Sequence, residues 1–278
     1  MRNKGFEGWY YKHQRGEDMI AFIPGRAQSG AFVQMMTSHG ARQFEVPELS
    51  VLGNRVWAGN CFFSPKGCRI DLPGVQGEIV YGETVPLSKD IMGPFRFLPM
   101  ECRHGVVSMA HPLQGSVTVD GVRHSFDGGI GYAEKDSGIS FPRAYQWLQC
   151  NDFPEPCALM VAVASIPFGK IRFKGCIGSV IYDKKEYRFA TYRGVKIRSA
   201  QEREICLSQG KYLLHLEIGP GKNGHFLSAP RKGRMTGVIR ESANVGVRAR
   251  LYRKETLIFD LQSDHAAYEY VSALTDEG

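Results

Sequence analysis

The sequence predicts an almost entirely β-stranded protein, all-β in class, built from two antiparallel barrels or sheet systems packed together. Segments of alternating apolar and polar residues recur along the chain, whereas the 3.6-residue spacing of amphipathic helices is nearly absent. The 32 glycines and 14 prolines are scattered singly, as expected for short strands joined by turns. The length, 278 residues, suffices for two such halves. We therefore expect at least ~40% strand and less than ~15% helix.

The strand candidates follow one another with short interruptions. Up to the middle of the chain they are 6–13, 19–24, 31–37, 55–63, 77–82, 106–110, 116–119, 130–136 and 144–151. Beyond it they are 159–165, 170–174, 179–183, 187–192, 204–208, 212–218, 246–251 and 256–261. The step Val119-Asp120-Gly121-Val122 predicts a two-residue hairpin, because Asp-Gly accepts the positive φ angles of a type I′ turn.

The division into halves is predicted from turn residues and from charge. Turn-forming residues are densest at 126–129 and 152–156. Residues 1–139 contain 14 Lys+Arg and 14 Asp+Glu, whereas residues 140–278 contain 21 and 14 and so account for the net charge of +7. We place an N-terminal half at 1–128 and a C-terminal half at 129–278.

The basic excess of the second half bears on binding partners. It would suit nucleic acid or an anionic membrane surface, or it could form the solvent face of a sheet. In the segment 170–174 basic residues alternate with apolar ones, as in a half-buried strand. The aromatic signatures of RNA-binding modules are missing. We expect a solvated sheet face with weak peripheral membrane contact and no nucleic acid partner.

Apolar stretches, cysteine spacing and known binding motifs in the sequence bear on location and cofactors. The longest apolar stretches are far shorter than the ~20 residues of a membrane helix, and residues 1–7 have no apolar signal core. The seven cysteines are an odd number without C-x-x-C spacing, which favours reduced, structural thiols. No phosphate loop or Gly-x-Ser-x-Gly elbow occurs. We expect a cytoplasmic protein with no metal and no cofactor.

The first informative motif is Phe6-Glu7-Gly8-Trp9-Tyr10-Tyr11. On a strand, Glu7, Trp9 and Tyr11 share one face. A carboxylate beside two large aromatic side chains is unusual both for a surface and for a core. The motif therefore indicates either part of a ligand site or a strand that closes a barrel, with Glu7 in a buried ion pair.

The second motif spans Gly131-Tyr132-Ala133-Glu134-Lys135-Asp136. On a strand, Tyr132, Glu134 and Asp136 point one way and Lys135 points the other. In the next candidate strand one face is shared by four residues: Tyr145, Trp147, Gln149 and Asn151. If the two strands pair with these faces together, carboxylates, amides and aromatic rings converge.

Such a cluster has the groups that acid catalysis needs. Apolar surroundings raise the pKa of a carboxyl group, as a general acid near neutral pH requires. Aromatic faces stabilise a developing carbocation. We expect Glu134 to be a buried proton donor that lines one cavity with Trp9. The structural alternative is a polar scaffold, in which an arginine such as Arg143 would keep Glu134 ionised. His104 and His111, which flank residues 105–110, are weaker site candidates.

Both motifs, in this order and separation, resemble signature segments of the tocopherol cyclase family. The segments are 6–10 and 131–135, with Ser140-Phe141-Pro142 and 147–151, so the resemblance covers the first 150 residues best. It implies two lipocalin-like barrels with a ligand cavity, an architecture shared with the carotenoid hydratase type. Family members of known activity cyclise a prenylated hydroquinone to a chromanol without a redox cofactor: an acid protonates a prenyl double bond and the phenol oxygen captures the cation.

The resemblance and the motifs together give a functional hypothesis, a cyclase or isomerase acting by protonation on a prenylated quinol or terpenoid-like hydrophobic molecule. The candidate catalytic residues are Glu134, Glu7, Asp136 and Tyr132. The candidate substrate-binding residues are Trp9, Tyr11, Trp147, Gln149, Asn151 and His111. Ser137 stands where a Trp is expected, which weakens the case for the tocopherol precursor as substrate. The alternative is a non-catalytic carrier of a hydrophobic small molecule, and a desolvated carboxyl group within reach of the ligand separates the two.

Overall fold

The computed structural model describes residues 5–168, 171–220 and 224–272. Strand accounts for 72% of the described residues, which also contain two short 3₁₀ turns, Gly93–Phe97 and Thr191–Arg193. The predicted all-β class is confirmed, with two large antiparallel sheets. Lys170, at which one predicted strand begins, lies outside the described residues.

The first sheet contains twelve strands, in the order β4-β3-β2-β1-β12-β10-β9-β8-β7-β6-β5, with β11 paired to β10. Their bounds are β1 Phe6–Arg15, β2 Asp18–Ala27, β3 Gly30–Thr37, β4 Gly40–Val46, β5 Leu49–Leu52, β6 Arg55–Ala58, β7 Cys61–Ser64, β8 Gly67–Leu72, β9 Val75–Tyr81, β10 Cys102–Val119, β11 Val122–Ser125 and β12 Ile130–Gly138. Strands β2 and β3 also contact β5 and β6, so the sheet curls around its core.

The second sheet contains ten strands, in the order β16-β15-β14-β13-β22-β21-β19-β18-β17, with β20 paired to β21. Their bounds are β13 Tyr145–Cys150, β14 Cys157–Phe168, β15 Ile171–Tyr182, β16 Lys185–Ala190, β17 Lys196–Gln201, β18 Glu204–Gln209, β19 Tyr212–Ile218, β20 His225–Arg231, β21 Arg234–Arg253 and β22 Thr256–Val271.

Each sheet encloses a hydrophobic core of its own, built by side-chain alternation. In β8, Cys68, Ile70 and Leu72 are buried while Arg69 and Asp71 are exposed. Strand β19 repeats this pattern in the second sheet with alternate apolar residues in the core. Because side chains on a strand alternate between its faces, a strand with one buried apolar face leaves its other face available for polar groups.

The predicted Asp-Gly hairpin is present between β10 and β11. Val119 pairs with Val122, and the two turn residues have positive φ angles of 49° for Asp120 and 86° for Gly121. Positive φ at both central residues is the requirement of a type I′ turn. The local sequence therefore specified this turn.

The structural units differ from the predicted halves 1–128 and 129–278. The first compact unit consists of Met1–Leu87, Cys102–Phe141 and Leu227–Val238, and the second of Ser88–Glu101, Pro142–Phe226 and Ile239–Gly278. The physical reason is β12, which pairs with β1 from Gln14↔Ile130 to Phe6↔Gly138. Those backbone hydrogen bonds keep β12 in the first sheet, past the predicted boundary.

The strand of the second motif does not pair with the next predicted strand, 144–151, so the pairing considered in the sequence analysis was wrong. Strand β12 pairs with β1 and β10, whereas β13 pairs with β14 and β22. Both edges of each strand are thus occupied within its own sheet, and the two strands do not form a hairpin. Among the described residues no helix is long and apolar enough to cross a membrane.

Candidate functional site

The second motif lies at the middle of the first sheet, where β12 runs between β1 and β10. Tyr10 of β1 is directly opposite Glu134, and His104 of β10 is directly opposite Asp136. Directly opposed residues in a sheet point to the same side. One face, here called the Glu134 face, therefore carries six residues: Tyr10, Lys12, His104, Tyr132, Glu134 and Asp136.

Four of these side chains form a continuous polar chain. The Tyr132 hydroxyl donates to Glu134 Oε2 at 2.5 Å. His104 Nε2 lies 3.3 Å from the same carboxylate oxygen, and His104 Nδ1 lies 2.9 Å from Asp136 Oδ1. Tyr132 and Glu134 are buried, with Glu134 only 5% exposed, which confirms the predicted burial of this carboxyl group. The elevated pKa expected for Glu134 stays a prediction.

His104 links the two carboxylates through its two ring nitrogens. A neutral imidazole carries a single N–H and can donate to one of these carboxylate oxygens, whereas an imidazolium can donate to both. The cluster therefore has the groups to accept and release a proton, either on the imidazole or on a carboxyl group.

Tyr132 is held in its protonated form. Burial, the charge of Glu134 and the hydrogen bond to Glu134 all raise the pKa of Tyr132 well above its ordinary value. The phenol is therefore a permanent hydrogen-bond donor near neutral pH. Its bond fixes the orientation of the Glu134 carboxyl group.

Glu7 lies on the opposite face of the sheet and is ion-paired. Arg26 Nη2 is 2.7 Å from Glu7 Oε2, and Lys135 Nζ is 2.6 Å from Glu7 Oε1. Burial alone would raise the pKa of Glu7, but the hydrogen bonds and charges of Lys135 and Arg26 outweigh it, so the pKa is lowered. Glu7 is thus ionised at neutral pH. This geometry matches the ion-pair interpretation of the first motif and not a proton donor.

The expectation that Trp9 and Glu134 line one cavity was wrong. Trp9 is opposite Lys135, whose ammonium lies 4.6 Å from the centre of a Trp9 ring. Trp9 and Tyr11 belong to the first hydrophobic core, and the Tyr11 ring stacks on Phe63 at 5.1 Å. Alternation along the strand sends these side chains away from the Glu134 face.

Ser137 shares the face of Glu7. It is directly opposite Glu7 in the register of β1 and β12. The aromatic side chain expected at this position would therefore adjoin Glu7. It would not form a wall on the Glu134 face.

His111 also lies in the first core, and its side chain points away from the Glu134 face. It is opposite Gly131, its ring centre is 4.3 Å from that of Tyr81, and its Nδ1 is 3.0 Å from Ser108 Oγ. Burial lowers the pKa of His111 to about 4. His104 and His111, seven positions apart, point to opposite faces, and only His104 joins the predicted carboxylates.

The remaining predicted residues occupy the second sheet. Trp147, Gln149 and Asn151 are buried, and the Tyr145 hydroxyl donates to Glu269 Oε2 at 2.5 Å. Their neighbours Leu148 and Cys150 belong to the second hydrophobic core, so Trp147 and Gln149 face away from that core. The shared face predicted for these residues is therefore observed for Tyr145, Trp147 and Gln149, whereas Asn151 follows the end of β13. Trp147 is directly opposite Glu269, a carboxylate that the sequence reasoning did not include.

Lys12 is a second residue that sequence reasoning missed. It is 1% exposed and directly opposite Tyr132 on the Glu134 face. A buried lysine is rare unless it is paired. The alternation of side chains along a strand could have identified Lys12, because Lys12 and Tyr10 are two positions apart on one strand and therefore share a face.

The same cluster has the donor set of a cation site. One ligand atom from each of His104, Glu134 and Asp136 lies within 4.8 Å of the others. Imidazole and carboxylate suit several divalent transition metals. A metal ion would use the same lone pairs that a proton would occupy, so cation binding and acid chemistry are alternative uses of these residues.

A cavity of about 280 Å³ lies elsewhere in the first unit. Its lining includes Met19, Met35, Thr37, Arg42 and His124. None of the predicted site residues lines this cavity. This cavity therefore gives no support to the ligand-binding role predicted for those residues.

Comparison with solved structures confirms the lipocalin-like two-sheet fold. A crystal structure of CghA with Sch210972 superposes with a TM-score of 0.64 at 12% identity, covering 97% of this chain and 89% of that chain. A crystal structure of an AttH-type protein from Nitrosomonas europaea gives a TM-score of 0.54 at 13% identity, covering 96% and 93%. At such identities the likeness concerns the fold alone.

Curated relatives are plant proteins. "Probable tocopherol cyclase, chloroplastic" of Oryza sativa subsp. japonica is 23% identical over 205 residues, which is 68% of this chain and 44% of that protein. "Tocopherol cyclase, chloroplastic" of Zea mays is 25% identical over 182 residues, 60% of this chain and 38% of that protein. The chain thus spans less than half the length of these curated relatives.

The family model described as tocopherol cyclase-like matches residues 73–271, well over half of the chain. The match includes Glu134 and the whole second motif, and it begins after the first motif. Most of the second sheet lies within it. This chain belongs to the tocopherol cyclase-like family.

Proposed function

We propose that this protein is a cyclase or isomerase that protonates a carbon–carbon double bond of a prenylated quinol or terpenoid-like hydrophobic substrate without a redox cofactor. The observation that carries the proposal is the chain of polar contacts from Tyr132 through Glu134 and His104 to Asp136, in a largely buried place. Family membership and the tocopherol cyclase names of the curated relatives support a cyclase-type reaction.

Protonation of an alkene requires an acid whose proton is not already lost to water. Burial favours the neutral form of a carboxyl group, and the Tyr132 hydrogen bond holds Glu134 in one orientation. In the proposed step Glu134 carries the proton, which moves to an alkene carbon and leaves a carbocation. Asp136 keeps the His104 ring in place and balances its charge.

Ring closure restores the starting state of the site. A substrate hydroxyl oxygen attacks the carbocation, forms the new C–O bond and loses its proton. The vacated Glu134–His104 pair accepts that proton, so the reaction is an isomerisation with no net change in protons or electrons. General acid catalysis of this kind contributes ~10²–10⁴-fold in rate.

Tyr10 takes the role that the sequence reasoning gave to Trp9. It lies directly opposite Glu134, and its ring centre is 6.4 Å from that of Tyr132 in an edge-to-face arrangement. Two aromatic rings beside the proton donor suit the stabilisation of a carbocation.

The proposal is tested by proton transfer in deuterated water. The purified protein is incubated with a panel of prenylated quinols, and products are analysed by mass spectrometry for one deuterium on carbon. The wild type should incorporate it without added cofactor, and a Glu134→Gln variant should do so ~100-fold more slowly or worse.

Glu7→Gln is the matched control, because Glu7 lies in the same sheet on the opposite face. It should retain turnover. Ligand binding without deuterium incorporation in the wild type would instead identify a carrier. Inhibition of turnover by a chelator, followed by recovery on addition of a divalent metal, would show that the reaction needs a bound cation and would contradict the proposed acid mechanism.

A further inference from the structure

An exposed apolar turn stands out in the second unit. It lies in the segment 88–101, which follows β9 in the chain and precedes β10, and contains the 3₁₀ turn Gly93–Phe97. Phe97 is 74% exposed and Leu98 is 43% exposed. Pro94 and Pro99 beside them are exposed as well. Adjacent exposed apolar side chains of this size indicate an interaction surface more often than a solvent face.

The turn is anchored to the second unit. Phe95 packs edge-on against Tyr192 with ring centres 5.8 Å apart, and the Tyr192 hydroxyl donates to the Ile91 carbonyl at 3.0 Å. Arg188 donates to the carbonyls of Lys89 and Asp90, each at 2.8 Å. Phe97 and Leu98 are therefore presented to solvent by a segment whose backbone is fixed.

Gly93 shows how closely the backbone approaches this anchor. Its φ is 52°, and a Cβ added there would lie 2.6 Å from the Tyr192 ring. Only glycine satisfies both the left-handed conformation and the close contact without strain. The backbone that presents Phe97 to solvent is thus fixed by the close contact between Gly93 and Tyr192.

Basic side chains outnumber acidic ones beside the apolar turn, where Asp90 lies 3.9 Å from Arg96 and Glu101 pairs with Arg172. The Arg96 side chain is 51% exposed, and its guanidinium lies 4.6 Å from the Phe97 ring centre. Glu101, at the end of the segment, contacts Arg172 at 3.4 Å and so brings the start of β15 alongside. Lys174 lies two positions after Arg172 in β15 and shares its face. The turn surface, as named here, comprises apolar Pro94, Phe97, Leu98 and Pro99 with basic Lys89, Arg96, Arg172 and Lys174.

We propose that the turn surface docks the protein peripherally on an anionic phospholipid bilayer. Phe and Leu side chains insert at the boundary between headgroups and acyl chains, whereas Arg and Lys reach anionic headgroups from the same depth. The net charge of +7 adds long-range attraction to such a surface. This assigns a specific surface to the weak membrane contact predicted from charge, and it goes beyond the proposed reaction.

The experiment is co-sedimentation of the full chain with vesicles of phosphatidylcholine alone and of phosphatidylcholine mixed with phosphatidylglycerol. The wild type should partition onto the anionic vesicles and less onto the neutral ones. Phe97→Ser combined with Leu98→Ser should weaken partitioning ~10-fold or more, as expected for two lost apolar insertions. Leu52→Ser is the matched control, because Leu52 is 70% exposed on the first sheet.

The charge contribution is tested separately. Arg96→Gln should weaken partitioning onto anionic vesicles about five-fold, whereas Arg96→Lys should keep it. Unchanged partitioning of the Phe97/Leu98 variant would overturn the proposal. Absence of vesicle binding by the wild type at low salt would overturn it as well. If, in addition, the sedimentation coefficient of the Phe97/Leu98 variant were lower than that of the wild type, the surface would be assigned to contact with a second copy of this chain. No substrate is present, so this outcome is independent of the proposed reaction.

Discussion

Trp9 and Glu134 occupy neighbouring strands of the first sheet and point to opposite faces of it. Tyr10, the residue after Trp9, is the one directly opposite Glu134. Trp9 packs into the hydrophobic core, while Glu134 joins Tyr132, His104 and Asp136. One position along a strand therefore separates a structural aromatic residue from the candidate catalytic face.

The first prediction concerns Glu134 itself. Glu134→Gln keeps the volume of the side chain and an acceptor for the Tyr132 hydroxyl, but an amide cannot act as a carboxylic acid. We expect turnover to fall ~100-fold or more while ligand affinity stays within a few-fold. Steady-state kinetics and equilibrium binding on the same preparation measure the two quantities.

The scaffold alternative gives the reverse pattern for the same variant. If Glu134 only holds the strands together, the melting temperature should fall and turnover per folded molecule should stay unchanged. Full activity of the Gln variant on any identified substrate would remove Glu134 as the acid.

The second prediction concerns Glu7, whose lowered pKa makes its ion pairs a source of stability. The sign follows from the lowered pKa: this stability is present above the ordinary value of 4.5 and is lost as the pH falls through the lower folded value. The pairs are partly exposed, so Glu7→Gln should lower the free energy of unfolding by only ~1 kcal/mol at neutral pH. Urea unfolding measures this loss, and a loss of turnover as large as that of Glu134→Gln would restore Glu7 as a proton donor.

The third prediction follows from the core position of Trp9. Trp9→Ala should lower the free energy of unfolding by about 3–5 kcal/mol, because it leaves a cavity in the first core. Its effect on the Michaelis constant should be small, since the ring faces away from Glu134. Tyr10→Ala is the comparison on the other face, and it should change the kinetic constants more than Trp9→Ala does.

The fourth prediction concerns acid stability. Burial, with a contribution from His111, lowers the pKa of His13 to about 3, and burial lowers that of His111 to about 4. Within the described residues His111 Nε2 is buried without a hydrogen-bond partner, so a proton there would have no acceptor. Both histidines therefore fold in the neutral form.

The sign follows from comparing the folded and unfolded chains. The unfolded chain takes up protons at these histidines below the ordinary value of 6.5, whereas the folded chain does not until about pH 4 or lower. Stability is thus fully present above pH 6.5 and declines by ~1.4 kcal/mol per pH unit for each histidine as the pH falls.

Urea unfolding of wild type and His111→Gln should show this dependence. Between about pH 7 and about pH 4.5 the variant should lose ~2–3 kcal/mol less than the wild type. His39→Gln, at an exposed position, is the control and should keep the wild-type dependence. Parallel curves for wild type and His111→Gln would contradict the assignment.

Much of the site could be predicted from the alternation of residues within single strands. The sharing of one face by Tyr132, Glu134 and Asp136, and the turning of Lys135 to the other face, were predicted and are observed. Side-chain alternation was also sufficient to put Glu7 and Trp9 on one face of their strand. It could not relate that face to the face of Glu134, because alternation within one strand carries no information about its register with the next strand.

The sequence by itself determined the all-β class, most of the strands, the Asp120-Gly121 hairpin and the family resemblance, since each depends on residues close together in the chain. Only the tertiary structure decided that β12 lies between β1 and β10, which brings His104 to Asp136 and Lys12 beside Tyr132. It also decided that Trp9 belongs to the core and that Glu7 is neutralised by Arg26 and Lys135. The physical reason is that strand order and register are set by hydrogen bonds and packing between segments far apart in sequence, summed over a whole sheet.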